Sequence, residues 1–328
     1  MPTIAPDAAG LTGEPSAAPD RSPRPGRRRH SARRRRPGLP LLLLLPSLVV
    51  LGVVLGYPLV RLVVLSTQEY GMRQQFGAPA EQVGLANYRQ VLGDDYFWTV
   101  VRRTLAFCVV NVVLTMVIGL LVALLLERLG RKMRLLVSVG LIVAWASPAL
   151  TATVVWQWIF DTQYGLANWL VTTLGIADYQ GHSWLSEPGS FFAVATIIVV
   201  WMGVPFVAFT LYAGLTQMPA EVVEAAIVDG AGPWQRFRDV TFPLLKPLLL
   251  ILTALSVLWD FRVFTQIFVL QRAGGINRET NLIGVYAYRS ATGDNRFDLG
   301  ATIAVIMVII TLLLTVAYLR QMVRQEEL

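Results

Sequence analysis

The chain has very little of the chemistry that builds disulfides or metal sites. Its 328 residues include one cysteine, Cys108, and two histidines, His30 and His182. A single cysteine has no partner within the chain, and two histidines so far apart in sequence do not suggest a ligand cluster. The composition therefore excludes a disulfide framework and a cysteine-based metal site.

Charge is scarce as well. Charged residues make up 15% of the chain, against roughly 25% in a typical soluble domain. The apolar residues come in long uncharged runs, and a helix needs about 20 such residues to cross the hydrocarbon core of a bilayer. Backbone polar groups in lipid must be paired internally, so each run is expected to be helical. The sequence predicts an all-α polytopic membrane protein with six transmembrane helices, at about 39–66, 104–126, 135–159, 190–215, 247–270 and 299–319.

Residues 1–37 have a different composition, rich in proline, alanine, glycine, serine and arginine. Such a segment cannot bury enough apolar surface to offset the entropy of ordering, and we expect it to be disordered. Its nine arginines, between Arg21 and Arg36, suggest either a nucleic-acid-binding segment or a basic tail kept in the cytoplasm beside membrane lipid. We favour the tail and predict no nucleic-acid partner. The predicted domains are this tail, 1–37, and a six-span domain, 38–328.

The basic residues predict the orientation. With the N-terminus inside, the cytoplasmic segments carry 18 lysines and arginines and the external segments carry eight. Loop 160–189 has none. Cytoplasmic loops of membrane proteins carry the excess of basic residues, so the sequence predicts that both termini are cytoplasmic.

The loop between the fourth and fifth spans, residues 218–247, is too long for a turn and too apolar for a solvated linker. Pro219 suits a helix start, and Gly230 and the pair Gly232-Pro233 are expected to end that helix. A second short helix, Trp234 to Val240, should follow before prolines 243 and 247 begin the next span. Two short helices on the cytoplasmic face would form a docking element for a partner.

The spacing in this loop resembles a known motif. Glu224-Ala225-Ala226, three residues, Gly230, nine residues and then Val240-x-Phe242-Pro243 is similar to the EAA loop of ABC-importer permeases, which reads EAA, three residues, G, nine residues, I-x-L-P. The departures, Val240 for isoleucine and Phe242 for leucine, keep apolar residues. The alternative is a chance juxtamembrane helix. We refer to residues 218–247 as the EAA loop.

The resemblance implies that the EAA loop contains a coupling helix that inserts into a cleft of an ATP-hydrolysing subunit. Glu224 would face a basic group there, and Gly230 would permit a sharp turn. The coupling residues implied in this way are Glu224, Ala225, Ala226, Asp229, Gly230, Val240 and Pro243.

Further segments, among them 84–107, 156–170, 201–219 and 274–291, resemble sugar permeases of the maltose-permease group. The implied fold is that of a type I ABC importer permease. The implied partners are a second permease, an ATPase dimer, an extracytoplasmic binding protein and a sugar, in a bacterial plasma membrane. The sequence has no GxxxxGK[ST] motif. We therefore expect a non-enzymatic subunit without its own cofactor, with ATP and Mg²⁺ on the separate ATPase.

Polar residues at membrane depth mark transport pathways. In the fifth span Trp259, Asp260 and Arg262 interrupt an apolar run. One hypothesis is an ion pair, within the chain or with the partner permease, that stabilises the assembly. The other is a sugar-facing cluster, which the resemblance favours because maltose-type permeases have sugar-lining residues at these places. The fourth span offers Met202, Gly203 and Phe206 for the same pathway.

Three alternatives remain at this point. The first is an ABC permease for another solute class, such as glycerol phosphate, a polyamine or an amino acid. A phosphate ester would favour an unpaired positive charge, so the pairing of Arg262 discriminates. The second is a secondary transporter or channel, which would function without an ATPase; the usual sign of such a transporter, paired broken helices in two inverted halves, is not apparent. The third is a membrane-embedded enzyme, which would need clustered catalytic or metal-binding residues.

Overall fold

The computed structural model describes the backbone of residues 38–326; the predicted tail, 1–37, lies outside these residues. The described chain is helical, with one pair of two-residue strands, and its elements in chain order are α1 Gly38–Leu51, α2 Tyr57–Ser66, β1 Gln68–Glu69, α3 Met72–Gln75, β2 Glu81–Gln82, α4 Ala86–Leu92, α5 Asp95–Arg128, α6 Arg131–Ala146, α7 Ala149–Ile159, α8 Leu166–Thr173, α9 Pro188–Thr216, α10 Ala220–Val228, α11 Pro233–Arg236, α12 Phe242–Asp260, α13 Thr265–Arg272, α14 Asn277–Thr280, α15 Ile283–Thr292 and α16 Phe297–Glu326.

Among the described residues, five helices are long and apolar enough to cross a membrane, and a sixth span results if one bent helix pair is counted. The five are Leu44–Ser66, Asp95–Arg128, Pro188–Thr216, Pro233–Arg272 and Phe297–Arg320. The prediction of an all-α polytopic membrane protein is confirmed.

The chain divides into two units, of which the first ends at Val53 and the second begins at Val54. The described part of the first unit is α1 and the start of a π-helical turn, Gly52–Gly56. Every side chain from Leu44 to Val53 is exposed. A helix that is apolar on all sides and packs little suits a lipid environment.

In the second unit, α5 and α9 form the central helix pair. Small residues bring the two backbones together: a Cβ added at Gly119 would lie 2.5 Å from Cγ1 of Val207. Close approach at small residues is the usual way in which transmembrane helices pack, because lipid supplies no hydrophobic drive between them. Apolar side chains of α5, α9, α12, α13 and α16 fill the clusters around this pair.

The third predicted span, 135–159, corresponds to a sharply bent pair of helices. Helices α6 and α7 meet at Ser147-Pro148 with a bend of 106°. Pro148 has no N–H to continue the helical ladder, and it forces the preceding residue towards an extended conformation. Ser147 has φ −69° and ψ 127° accordingly.

The fifth span begins near Pro243 as predicted, since α12 starts at Phe242, but no break precedes it. Helix α11 continues through a π-helical turn, Phe237–Thr241, directly into α12. At this turn the N–H of Phe242 donates to the carbonyl of Phe237, five residues earlier. Widening the turn in this way accommodates a helix in which Pro243 lacks an N–H. The second half of the EAA loop and the fifth span therefore form one helical run.

The segment after α2 is tied to α16 through buried polar groups. Asn87 donates from Nδ2 to the carbonyls of Ser66 and Gln68, at 3.1 and 2.8 Å. Thr302 donates from Oγ1 to the carbonyl of Ser66 at 3.3 Å. The side chains of Asn87, Ser66 and Thr302 are all buried, so the bonds satisfy groups that water does not reach.

Candidate coupling loop and substrate pathway

Helix α10, the first half of the EAA loop, buries none of its side chains. Glu224 and Ala225 are exposed and Ala226 is partly buried. Two apolar side chains at its end, Ile227 and Val228, are 52% and 86% exposed. Exposed apolar side chains that lie together are typical of a protein or membrane interaction site.

A tight cap ends α10. Asp229 is the C-cap residue, and Gly230 follows with φ +79°, a left-handed conformation that glycine adopts without steric cost. The N–H of Gly230 donates to the carbonyl of Ile227, and the N–H of Ala231 donates to that of Ala226, both at 3.0 Å. This pair of bonds is a Schellman motif, which satisfies the last carbonyls of the helix.

The second half of the EAA loop carries an aromatic row. Trp234, 73% exposed, stacks on Phe237 with ring centroids 5.7 Å apart. Phe237 contacts Phe242 in turn, at 6.1 Å. Val240 is partly buried and Pro243 is exposed. The loop thus presents two faces, the bare helix α10 and this row.

Two of the predicted pathway residues meet in the structure. The rings of Phe206 and Trp259 lie 5.1 Å apart in an edge-to-face arrangement, and Trp259 is 46% exposed. Met202, one turn before Phe206 on α9, accepts a hydrogen bond at its sulfur from Nε2 of Gln266, at 3.6 Å. The residues on this face of α9 and α12 offer an aromatic surface with one amide beside it.

The other predicted pathway residues are separated from this surface. Gly203 faces α5, since a Cβ there would lie 3.0 Å from Cγ2 of Thr115. Asp260 is only 8% exposed, and its Oδ2 has no hydrogen-bond partner. Side chains at adjacent helix positions point about 100° apart. Trp259 can therefore be exposed while Asp260, the next residue of the same helix, is buried.

Arg262 is exposed, and its Nε donates to the carbonyl of Leu258 at 3.1 Å. The two ion pairs among the described residues are Arg238–Asp239 and Arg296–Asp298. Asp260 and Arg262 therefore do not form an ion pair within the described part of the chain. The hypothesis of an internal pair between them is wrong.

Buried polar residues outside the predicted set also occupy this region. Asn111 on α5 is fully buried; its Nδ2 donates to the carbonyl of Phe107 at 2.7 Å, and its Oδ1 has no partner. The sequence signal was a lone asparagine in an apolar run.

Gln271 is a second residue that the sequence did not single out. Its Nε2 donates to Thr280 Oγ1 and Asn281 Oδ1, at 3.0 and 3.1 Å, and its Oε1 accepts from Arg289 at 2.8 Å. Because Gln271 lies in the last turn of α13 and its partners lie beyond it, the network fixes the segment between α13 and α15. The network joins residues of three short helices, and no periodic pattern in the sequence marks them as partners.

The fold and the exposed loop define a class: a polytopic helical membrane protein with a short exposed helix between its fourth and fifth spans. Residues 115–326 match the family of the binding-protein-dependent transport system inner membrane component. The chain belongs to this family, the membrane permeases of ABC importers, and is a transport subunit and not an enzyme.

Curated relatives extend the match over nearly the whole chain. The diacetylchitobiose uptake system permease protein of Streptomyces coelicolor is 44% identical over 302 residues, 92% of each chain. The trehalose/maltose transport system permease protein of Thermococcus litoralis is 35% identical over 73% of this chain and 79% of that protein.

Among solved structures, a chain of a bacterial ABC transporter involved in the import of the acidic polysaccharide alginate superposes with a TM-score of 0.73. The match covers 87% of this chain and 95% of that chain, at 18% identity. This likeness confirms the predicted type I importer permease fold.

Proposed function

We propose that this chain is a membrane permease subunit of an ATP-driven importer for a sugar, delivered by an extracytoplasmic binding protein. The observation that carries the proposal is the EAA loop, whose helix α10 has the family spacing and buries no side chain. The choice of sugar is supported by the relatives, above all the 44% identical diacetylchitobiose permease. An oligosaccharide of N-acetylated sugars is therefore the first solute to test.

In this proposal α10 docks in a cleft of the ATPase subunit, which binds ATP and Mg²⁺. Glu224 would pair with a basic group of the ATPase, while Ala225 and Ala226 would allow close approach. Asp229 and Gly230 would end the helix and hold it rigid. Exposed Ile227 and Val228 would supply apolar contact area that only a partner can bury.

The continuous helix gives a mechanical route from this loop to the pathway. Val240 and Pro243 lie within the run from Pro233 to Asp260. At 1.5 Å per residue, Pro233 and Trp259 are about 39 Å apart along that helix. Movement of the loop when the ATPase dimer closes would therefore reach the Trp259 region without a flexible joint.

The pathway surface in this proposal is the Phe206–Trp259 pair with Met202 and Gln266. An aromatic face can stack on a sugar ring, and an amide can bond its hydroxyl groups. The two packings of the subunit would differ in sugar affinity, and ATP would bias their balance. We assign Asp260 and Gly203 to helix packing, since one is buried and the other faces α5.

A second candidate is the import of an anionic solute, such as an acidic sugar or a phosphate ester. The observation that favours it is the exposed guanidinium of Arg262, which has no carboxylate partner among the described residues. A phosphate ester would favour such an unpaired positive charge beside its pathway.

Competition experiments separate the two candidates. Uptake of labelled diacetylchitobiose into cells that express the whole importer is measured against unlabelled diacetylchitobiose, trehalose, an acidic oligosaccharide and glycerol phosphate. Competition by neutral oligosaccharides supports the first proposal. Absence of diacetylchitobiose uptake, together with uptake of a labelled acidic oligosaccharide or glycerol phosphate that is lost in Arg262→Gln, supports the second.

We further propose that both termini and the EAA loop lie in the cytoplasm, as the bias of basic residues predicts. In a Cys108→Ser background, cysteines at exposed Gln163 and Glu224 can be labelled with a membrane-impermeant maleimide. Labelling of Gln163→Cys in intact cells, with Glu224→Cys labelled only after permeabilisation, is expected. The reverse pattern contradicts the orientation.

A further inference from the structure

A cavity of about 780 Å³ lies between the end of α5 and the EAA loop. One wall is an apolar stripe of α5 that includes Leu120, Leu121 and Leu124. The aromatic row of the EAA loop, Trp234 and Phe237, forms the opposite wall. Of these five side chains, Leu121 and Trp234 are 60% and 73% exposed, so the cavity is open to its surroundings.

Three charged side chains line the same cavity: Glu127, Arg128 and Arg236. Nε of Arg236 is buried and has no hydrogen-bond partner. The ion pairs of the described residues involve neither arginine. A buried donor without an acceptor costs free energy. The cavity is also positively charged overall, because two arginines and one glutamate line it.

The apolar and basic side chains of α5 that line the cavity lie at different positions along the helix. The wall of α5 runs from Val117 to Arg128, which at 1.5 Å per residue is about 16 Å along the helix axis. Apolar side chains occupy most of its length, and Arg128 stands at its end, in the basic loop 127–134. Basic pockets beside transmembrane helices are suited to anionic lipid head groups.

We propose that this cavity binds an anionic phospholipid from the leaflet on the EAA-loop side of the membrane. Its phosphate oxygens accept hydrogen bonds from Arg236 and Arg128, and an acyl chain lies along the leucines of α5. The lipid thereby joins α5 to α11 and holds the EAA loop against the membrane. The effect on ATP-driven transport rests on the proposed function, whereas lipid binding itself does not.

Native mass spectrometry of the assembled transporter measures binding directly. The complex is released from nanodiscs of equal parts phosphatidylglycerol and phosphatidylcholine, and retained phosphatidylglycerol is counted. Each of Arg236→Gln and Arg128→Gln is expected to lower retention about fivefold, the factor that corresponds to roughly 1 kcal/mol per arginine near a membrane surface.

Arg238→Gln is the matched control, because the side chain of Arg238 is 76% exposed and does not line the cavity. Its Nε lies 3.9 Å from Oδ1 of Asp239. The control's retention of phosphatidylglycerol is expected to equal that of the wild type. The proposed site is overturned if the cavity variants retain as much phosphatidylglycerol as the wild type, or if the control loses as much as they do.

Two further arms identify the ligand. Leu124→Trp, which fills the apolar wall and leaves the arginines in place, is expected to lower retention, while free glycerol phosphate is expected not to displace the lipid. Displacement by glycerol phosphate, or retention of phosphatidylcholine equal to that of phosphatidylglycerol, contradicts an anionic phospholipid. ATPase activity measured on the same samples tests the coupling effect separately. If a variant loses the lipid and its ATPase activity does not change, only the coupling effect is refuted.

Discussion

The conformation of Gly230 makes a quantitative prediction about the EAA loop. Its φ is +79°, and a Cβ added there would meet no atom within 4 Å. Replacement by alanine therefore adds only the backbone cost of a left-handed L-residue, about 1–2 kcal/mol. That cost corresponds to a factor of roughly 5–30 in the population of the capped helix.

Replacement of Gly230 by proline is expected to destabilise the cap more than replacement by alanine. Proline has no N–H to donate to the carbonyl of Ile227 and holds φ near −65°, so the Schellman cap cannot form at Gly230→Pro. Asparagine, which tolerates left-handed backbone, should be the mildest change. We expect the order glycine, asparagine, alanine, proline for both uptake and ATPase stimulation, with uptake abolished in the proline variant.

The assay is ATP hydrolysis by the reconstituted importer, stimulated by sugar-loaded binding protein. Gly181→Ala is the matched control: Gly181 also has a left-handed backbone, φ +71°, with no atom within 4 Å of an added Cβ, but lies in the predicted external loop. Normal stimulation in Gly230→Pro, with the protein inserted and assembled, refutes the role of the cap. An equal loss in Gly181→Ala shows that the effect is one of general stability.

Three other changes test the packing and the pathway. Gly119→Ala should destabilise the detergent-purified protein by about 1–3 kcal/mol through overpacking against Val207, seen as a lower thermal midpoint; an unchanged midpoint contradicts the close contact of α5 and α9. Gln271→Leu should cost about 1–3 kcal/mol by leaving Arg289 without its buried acceptor, and hydrogen exchange should increase between α13 and α15; unchanged exchange there would falsify the role of the network. Trp259→Ala should lower sugar uptake while the ATPase still copurifies; loss of the complex would favour a structural role.

The spans could be predicted because each depends on a local property, the length of an apolar run. The bend at Ser147-Pro148 has a local cause too, since a proline restricts the residue before it and removes a helical hydrogen bond, but it was not among the predicted features. The continuous helix through Pro243 could not be predicted from its prolines alone. It depends on a π-helical turn whose formation involves the hydrogen-bond pattern of the folded backbone.

The pathway residues show a second limit. Helical periodicity places Trp259 and Asp260 about 100° apart, but which of them faces another helix depends on the position of α5. The same holds for Gly203, whose contact with Thr115 is a property of two helices together. Gly230 was different, since a glycine after a short helix is itself the sign of a left-handed cap.

The most direct test of the account is accumulation of labelled diacetylchitobiose in proteoliposomes that contain the full importer, with ATP supplied on the ATPase side and binding protein on the other. We predict accumulation only when ATP, the ATPase subunit and the binding protein are all present, and none with Gly230→Pro. Accumulation driven by an ion gradient without ATP, or unchanged when the ATPase is omitted, would contradict the central claim that this chain is a sugar-importer permease coupled through its EAA loop.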